Sequence, residues 1–192
     1  MRKFVLGFVG ALVVIPVAGF AFVRLGFMDP RADIPINPLE RRIAMPSLDA
    51  AIGRRAPVVQ GPLDASDSSL AAGMTVYQSN CAVCHGDVAH ERAALADAMY
   101  PRAPQFVRDA PDMPEHENLY IIAHGVRLSG MPAWGRILSG RQLRQVTAFL
   151  AHMDSLPTPV AEQWKLVAGD GSASTAPPAR SVSNESRANQ PY

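Results

Sequence analysis

This chain of 192 residues has little of what many specialised small proteins are rich in. Its 18 basic and 17 acidic side chains nearly cancel, so there is no basic field that would favour nucleic acid. It has only two cysteines, Cys81 and Cys84, and a disulfide between them would close a very small loop and stabilise little. No segment alternates convincingly between apolar and polar residues as a strand would. These shortages argue against a disulfide framework and a nucleic-acid partner, and they predict an all-helical fold.

Apolar residues are concentrated near the N-terminus. The run from Phe4 to Val23 holds 20 uncharged, mostly apolar residues, which is long enough as a helix to cross a bilayer. We predict a transmembrane anchor within residues 1–27. The alternative is a cleaved signal peptide, for which Gly19-Phe20-Ala21 is an acceptable cleavage site. Basic residues lie on both sides of the run, so charge alone does not give its orientation.

Composition divides the rest of the chain into three parts. Residues 28–67 are predicted to be a proline-rich tether with short helical pieces, in which Pro46 would break any long helix. Residues 68–156 form the expected compact domain. Residues 157–192 become polar and rich in small side chains after Trp164, and we expect a disordered tail.

Helical spacing of apolar residues recurs through residues 68–156. Helices are predicted over three stretches, the last opened by Ser139 and Gln142 at capping-box spacing: DSSLAAGMTVYQSNCAVCHG, MPEHENLYIIAHG and SGRQLRQVTAFLAHMDSLP. Three or four short helices make a thin core, and small domains of this kind usually need an additional stabilising element.

The motif Cys81-Ala82-Val83-Cys84-His85 contains both cysteines of the chain. Cys-x-x-Cys-His is the attachment signal for a c-type haem. Two thiols on one helical turn can add to the two vinyl groups of the porphyrin, and the next residue, His85, is then the proximal iron ligand. Two alternatives stay open. Zinc could use the same three side chains with a further histidine, although no second cysteine pair exists, and a redox dithiol would normally sit in an α/β fold.

A second candidate ligand lies in the segment HGVRLSGMPAWG. Met131 falls in a loop punctuated by glycine and proline between two predicted helices, and a thioether there would be a soft sixth ligand that raises the reduction potential. The alternative is that Met131 fills the core, as most methionines do. Trp134 could donate a hydrogen bond to a haem propionate or could close the crevice by packing alone. The other histidines are expected at the surface or at a helix end: His90, His116, His124 and His152.

Residues 68–156 resemble the class I c-type cytochromes, especially the haem-c subunits of bacterial terminal oxidases and dehydrogenases. The resemblance lies in the spacing of Gly73 and Tyr77 to the Cys-x-x-Cys-His motif, in the pair Val146 and Phe149, and in the segments RAPQF and SGMPAWG. It implies a small cytochrome fold around one covalently attached haem c per chain, with His85 and Met131 as axial ligands. It also implies that the Pro104 carbonyl accepts the N–H of the proximal histidine.

The resemblance further implies a place and a role. Haem c is attached on the outer side of the bacterial cytoplasmic membrane, so the N-terminal helix would anchor a periplasmic domain. The expected function is transfer of single electrons between redox partner proteins, without catalysis. Two alternatives are a ligand-binding or catalytic haem protein with a labile sixth position, and a structural haem subunit of a respiratory or dehydrogenase complex.

Overall fold

A computed structural model of the chain describes residues 1–27, 29–58 and 61–167, and this part is all-helical, as predicted. Its α-helices are α1 (Arg2–Arg24), α2 (Pro38–Arg55), α3 (Asp67–Asn80), α4 (Ala82–His85), α5 (Ala94–Asp97), α6 (Glu115–His124), α7 (Gly140–Ala151) and α8 (Thr158–Val167). A 3-10 helix, Trp134–Arg136, lies between α6 and α7. The chain divides into two compact units, residues 1–34 and the part that begins at Pro35.

The first unit is built on α1, which has 23 residues and no buried side chain. Within the described residues it is the one helix long and apolar enough to cross a membrane. Pro16 lies inside it, which a membrane helix tolerates. A membrane anchor fits this helix, and a signal sequence near the N-terminus would have the same length and composition.

The second unit is centred on the packing of α3 against α7. At the crossing, Gly73 lets the backbones approach so closely that a Cβ on it would lie 2.1 Å from the Gln145 carbonyl oxygen. Tyr77 and Phe149 are fully buried beside this contact. Ser139 and Gln142 form the predicted capping box at the start of α7, which is thereby confirmed.

Helix α2 corrects the prediction that Pro46 would interrupt the segment. The helix runs through Pro46 for 18 residues, begins with Pro38 and is capped by Asn37, whose side chain accepts the Leu39 N–H at 2.9 Å. Pro46 removes the N–H that would bond to the Arg42 carbonyl. Because this half of α2 is exposed, water can donate to that carbonyl instead.

Helix α8 corrects the predicted boundary of the domain. We expected disorder from residue 157, but residues 158–167 are helical and bury Val160 and Trp164, which are four residues apart on one helix face. The Trp164 ring packs edge-on against Tyr77 and Phe149, with centroids 5.8 Å and 5.2 Å away. This burial outweighs the polar composition that favoured disorder. The rest of the predicted tail, residues 168–192, lies outside the described residues.

Candidate functional site

The Cys-x-x-Cys-His motif forms a single helical turn directly after α3. The Cys81 carbonyl accepts the N–H groups of Cys84 and His85 at 3.0 Å and 2.9 Å, so the turn winds tightly. Gly86 ends it with a φ of 80°, a left-handed conformation that favours glycine. Both cysteines are half-buried and are not joined by a disulfide. The sequence predicted one continuous helix here, whereas α3 ends at Asn80 and α4 begins at Ala82.

His85 is held in a fixed orientation. Its side chain is 8% exposed, and its Nδ1 lies 2.9 Å from the Pro104 carbonyl oxygen. Because a carbonyl can only accept, Nδ1 carries the proton and Nε2 keeps its lone pair. The Phe106 ring stacks on the imidazole at a centroid distance of 4.3 Å and an angle of 5°. Nε2 is therefore the ring nitrogen that remains for a metal.

Two residues that the sequence analysis did not single out connect the motif to the proline segment. The Gln105 side chain donates to the Cys84 carbonyl at 3.0 Å and accepts the Ala93 N–H at 2.7 Å. The Phe106 N–H donates to the His85 carbonyl at 3.1 Å. Gln105 and Phe106 directly follow Pro104 in the segment RAPQF, and this position is the feature of the sequence that could have identified them.

Burial sets the protonation state of all three side chains of the motif. It lowers the pKa of His85, against the opposing effect of the Pro104 hydrogen bond, and so favours the neutral imidazole that binds metals. Burial, with a smaller effect from Cys84, raises the pKa of Cys81 to about 12, and burial also raises the pKa of Cys84. A reactive dithiol would need at least one lowered thiol pKa. The redox-dithiol alternative is therefore disfavoured.

Met131 lies in a loop held closely against the end of α6. The Val126 N–H donates to the Met131 carbonyl at 3.2 Å, and the Met131 N–H donates to Ser129 Oγ at 3.2 Å. Gly125 has a φ of 68°, and a Cβ on it would lie 2.6 Å from the Met131 carbonyl oxygen. Gly130 is in contact with the side chain of Met99. These constraints fix the loop and leave the Met131 thioether partly buried.

Trp134 begins the 3-10 helix that follows this loop and is half-buried. The next residue, Gly135, brings this turn against α6, because a Cβ on it would lie 2.8 Å from the Ala123 carbonyl oxygen. Cys81, Phe106, Met131 and Trp134 all pack against the hydrophobic core formed by α3, α6, α7 and α8. The fold thus brings to one core side chains that lie up to 53 positions apart in the sequence, from Cys81 to Trp134.

Three of the four remaining histidines have local partners. His90 pairs with Asp87 at 3.3 Å, His124 packs on Tyr120 at a centroid distance of 4.5 Å, and His152 Nδ1 donates to the Ala148 carbonyl at 2.9 Å. Across the described residues, no group of three or more His, Cys, Asp or Glu side chains is placed to hold a metal ion.

The donor set fits a haem c. Two thiols lie on one turn, the adjacent imidazole has its Nε2 available and a pKa lowered by burial, and the thioether is held in a separate loop. A nitrogen and a sulfur donor are the pair expected for a low-spin iron with a raised potential. This fit rests on the orientation of His85 by Pro104 and on the tight turn of the two cysteines.

Tyr77 supports the end of the motif and gives a test of its stability. The Tyr77 hydroxyl donates to the Gly86 carbonyl at 2.7 Å and is buried. We expect Tyr77→Phe to lower the free energy of unfolding by about 1–3 kcal/mol, because the buried carbonyl loses its partner. Tyr120→Phe is the control, since no hydrogen bond of its hydroxyl occurs among the described residues. Equal losses in both variants, measured by urea denaturation, would contradict this role of Tyr77.

Tyr77 also predicts how the free energy of unfolding depends on pH. Burial raises the pKa of Tyr77, with smaller effects from Cys81 and Asp87. The folded pKa is above that of the unfolded chain, about 10, so the contribution of Tyr77 is complete below about pH 10 and is lost as the pH rises further. The stability difference between the wild type and Tyr77→Phe should therefore shrink between about pH 10 and pH 12. A constant difference over this range would contradict the prediction.

The chain was compared with known protein families, curated proteins and solved structures. Residues 68–150 match the family described as cytochrome C oxidase, cbb3-type, subunit III. Comparison with curated proteins and with solved structures gave no match. The matched segment contains the Cys-x-x-Cys-His motif, Pro104, Met131 and Trp134, and it ends one residue before α7 does. Helices α1, α2 and α8 lie outside it.

Proposed function

We propose that this chain is a membrane-anchored electron-transfer cytochrome that carries one haem c, because residues 68–150 match the family of cbb3-type cytochrome c oxidase subunit III. Bound haem c supplies a single-electron couple between ferric and ferrous iron. Cys81 and Cys84 would attach it through thioether bonds, and His85 and Met131 would hold the iron. The observation that carries this proposal is the 2.9 Å contact between His85 Nδ1 and the Pro104 carbonyl, which leaves Nε2 for the iron.

The surrounding residues keep the site rigid, so that its geometry changes little between the two oxidation states. Pro104 and Phe106 fix the imidazole plane from two sides, and Gln105 holds the turn of the two cysteines. Ser129 and Gly125 hold the Met131 loop. Since outer-sphere electron transfer needs no open coordination position, a site in which both ligands are held in place favours it over catalysis. Trp134 packs beside this loop, where it closes the crevice or donates to a propionate.

The visible spectrum of the mature full-length protein, recorded before and after addition of carbon monoxide, tests the proposal. We expect a covalent c-type spectrum, one haem per chain by the pyridine haemochrome method, a weak near-red band from a Met–iron bond and no response to carbon monoxide. A carbon monoxide shift would overturn the closed carrier in favour of a ligand-binding or catalytic haem protein. The absence of haem would overturn the haem site itself.

The location follows from α1 and from the chemistry of attachment. We propose that α1 remains as an anchor in the bacterial cytoplasmic membrane and that the haem domain faces the periplasm. The support for this is a 23-residue apolar helix without buried side chains, together with the side of the membrane on which haem c is attached in the related cytochromes.

A prediction tests the anchor. We expect the protein to stay entirely in the membrane fraction after alkaline and high-salt washing, because only detergent releases a bilayer-spanning helix. The intact mass should include residues 1–27, which separates a retained anchor from a signal peptide. Release of the haem protein into the soluble periplasmic fraction, with a mass lacking the apolar run, would contradict the prediction.

A second candidate role is that of a subunit in a respiratory complex. The description of the matched family, an oxidase subunit, favours it. In this role the chain would pass electrons within the complex rather than between separate carriers. Deletion of residues 35–58 gives the test: loss of a large detergent-solubilised complex would support the subunit, whereas an unchanged chromatographic size would support the separate carrier.

A further inference from the structure

Helix α2 carries apolar side chains on two opposite faces. Its inner face packs on the rest of the second unit: Ile52 is 5% exposed, Leu48 and Ala51 are partly buried, and α2 contacts α6. The Tyr100 hydroxyl donates to the Glu40 side chain and so ties the first turn of α2 to the unit as well. The helix is therefore attached near both of its ends, and its other side faces away from the unit.

The outer face of α2 forms a stripe of apolar side chains, which consists of Leu39, Ile43, Pro46 and Ala50. These positions are three or four residues apart, so they lie in one row along the helix. The row of Leu48 and Ile52 has the same spacing but is displaced by two positions, which turns it by about 200°. All four side chains of the stripe are exposed, and Leu39 and Ile43 are 65% and 64% exposed. A continuous apolar row that adds nothing to the packing of the fold indicates contact with something outside it.

Arginines border this stripe. Arg42 lies three positions after Leu39, and Arg54 continues the row four positions after Ala50. Both are exposed, and neither forms an ion pair in the part of the chain that the structure describes. The whole helix has four arginines and two carboxylates, and one of these carboxylates, Glu40, already accepts a hydrogen bond. The outer face of α2 is therefore both apolar and positive.

The place of the stripe in the chain indicates what covers it. Residues 25–37 alone separate α1 from α2, and a segment of this length spans at most about 45 Å when fully extended. If α1 crosses the membrane, as proposed above, the first turns of α2, with Leu39 and Ile43, stay within this distance of the bilayer surface. The stripe also lacks the aromatic and methionine side chains in which the centres of protein interfaces are enriched. A lipid surface therefore fits the stripe better than a protein partner does.

We propose that the stripe of α2 lies on the surface of an anionic phospholipid bilayer. Helices that rest on a membrane surface bury an apolar face at the boundary between headgroups and acyl chains, and basic residues beside that face attract anionic headgroups. Leu39 and Ile43 are the buried side chains, and Arg42 and Arg54 face the lipid phosphates. This contact holds the haem domain in one orientation at the membrane, where residues 25–37 alone would leave it free to turn. The inference rests on the anchor in the proposed function.

The experiment cross-links the full-length, haem-loaded protein to lipid. The protein is reconstituted into phosphatidylcholine vesicles with or without phosphatidylglycerol, both containing a trace of phospholipid with a photoreactive group near the headgroup end of its acyl chain. Mass spectrometry of peptides locates the adducts. We expect adducts in α1 in both membranes, and adducts in α2 that increase about 10-fold when phosphatidylglycerol is present. The adducts in α1 are the internal reference for reconstitution.

The first pair of variants tests the apolar part of the contact. L39S/I43S should reduce the adducts in α2 by about five-fold or more, because two serines bury little apolar surface in the bilayer. Met45→Ser is the control, since Met45 is also exposed but belongs to the row of Leu48 and Ile52 on the inner face. It should leave the adducts unchanged. All three replaced side chains are exposed, so the Tm should stay the same in both variants.

The second pair tests the electrostatic part. R42E/R54E should abolish the increase that phosphatidylglycerol causes, because glutamate beside the stripe repels anionic headgroups. R141E/R144E makes the same change in net charge on exposed residues of α7 and should leave that increase in place. An equal loss in both variants would show a dependence on net charge alone and would overturn the assignment to α2.

Two further results would overturn the proposal. One is adducts confined to α1 in both membranes, or adducts in α2 that L39S/I43S does not reduce. The other is a dimer in detergent that L39S/I43S dissociates, because a second copy of the chain would then cover the stripe. In each case a normal c-type spectrum with adducts in α1 would leave the proposed function standing. Absence of adducts in α1 would instead contradict the anchor, and this inference with it.

Discussion

Met131→Ala should leave the haem covalently attached, lower its reduction potential and allow carbon monoxide to bind. In the proposed site the haem is attached through Cys81 and Cys84, which lie outside the Met131 loop, so the amount of covalent haem should not change. Loss of a thioether ligand removes the soft sulfur that favours ferrous iron, and we expect a fall on the order of 0.1 V within the roughly 0.8 V range that axial ligands span. Potentiometric titration and carbon monoxide difference spectra measure the two effects.

Met99→Ala is the matched control for this change. Met99 also lies in an irregular segment, and its side chain contacts Gly130 in the Met131 loop. If Met131 is the ligand, Met99→Ala changes only packing, and the near-red band and the closed sixth position persist. An unchanged potential in Met131→Ala would remove Met131 as an axial ligand. Loss of the near-red band in Met99→Ala instead would transfer that role to Met99.

The parts of this site that are local in sequence could be predicted from it. Cys81, Cys84 and His85 lie within one helical turn, so their spacing alone places them together. Ser139 and Gln142 form their capping box for the same reason. A motif of this kind specifies its geometry through bonds between residues only three or four positions apart, and tertiary packing changes it little.

The parts that depend on long-range contacts could not be predicted in the same way. Phe106 stacks on His85 only because the chain returns after 20 residues, and stacking leaves no periodic pattern in the sequence. Helix α8 was mistaken for a tail because Val160 and Trp164 are its only buried residues, too few to give a clear helical pattern. The continuous α2 was missed because the exposure of the Arg42 carbonyl, which decides whether Pro46 is tolerated, is a property of the folded chain.

Gly73→Ala should be the most destabilising single-methyl addition among the glycines of α3 and α7. The added Cβ would lie 2.1 Å from the Gln145 carbonyl oxygen and 2.9 Å from Phe149 Cβ. The first obstacle is backbone, so no rotamer change can make room, and α3 and α7 must move apart. Separation would loosen the fully buried Tyr77 and Phe149, and we expect a loss of about 3 kcal/mol or more in the free energy of unfolding.

Gly140→Ala provides the control within the same pair of helices. Its Cβ would meet nothing within 4 Å, and α7 should gain up to about 0.5–1 kcal/mol from the better helix former. Thermal unfolding of the full-length protein in detergent, followed by near-ultraviolet circular dichroism, would therefore shift in opposite directions for the two variants. Because Tyr77 joins this crossing to the Cys-x-x-Cys-His motif through Gly86, Gly73→Ala should also lower the yield of covalent haem. A Tm for Gly73→Ala within about 2 °C of the wild type would contradict this prediction, because it would show that α3 and α7 can move apart at little cost in stability.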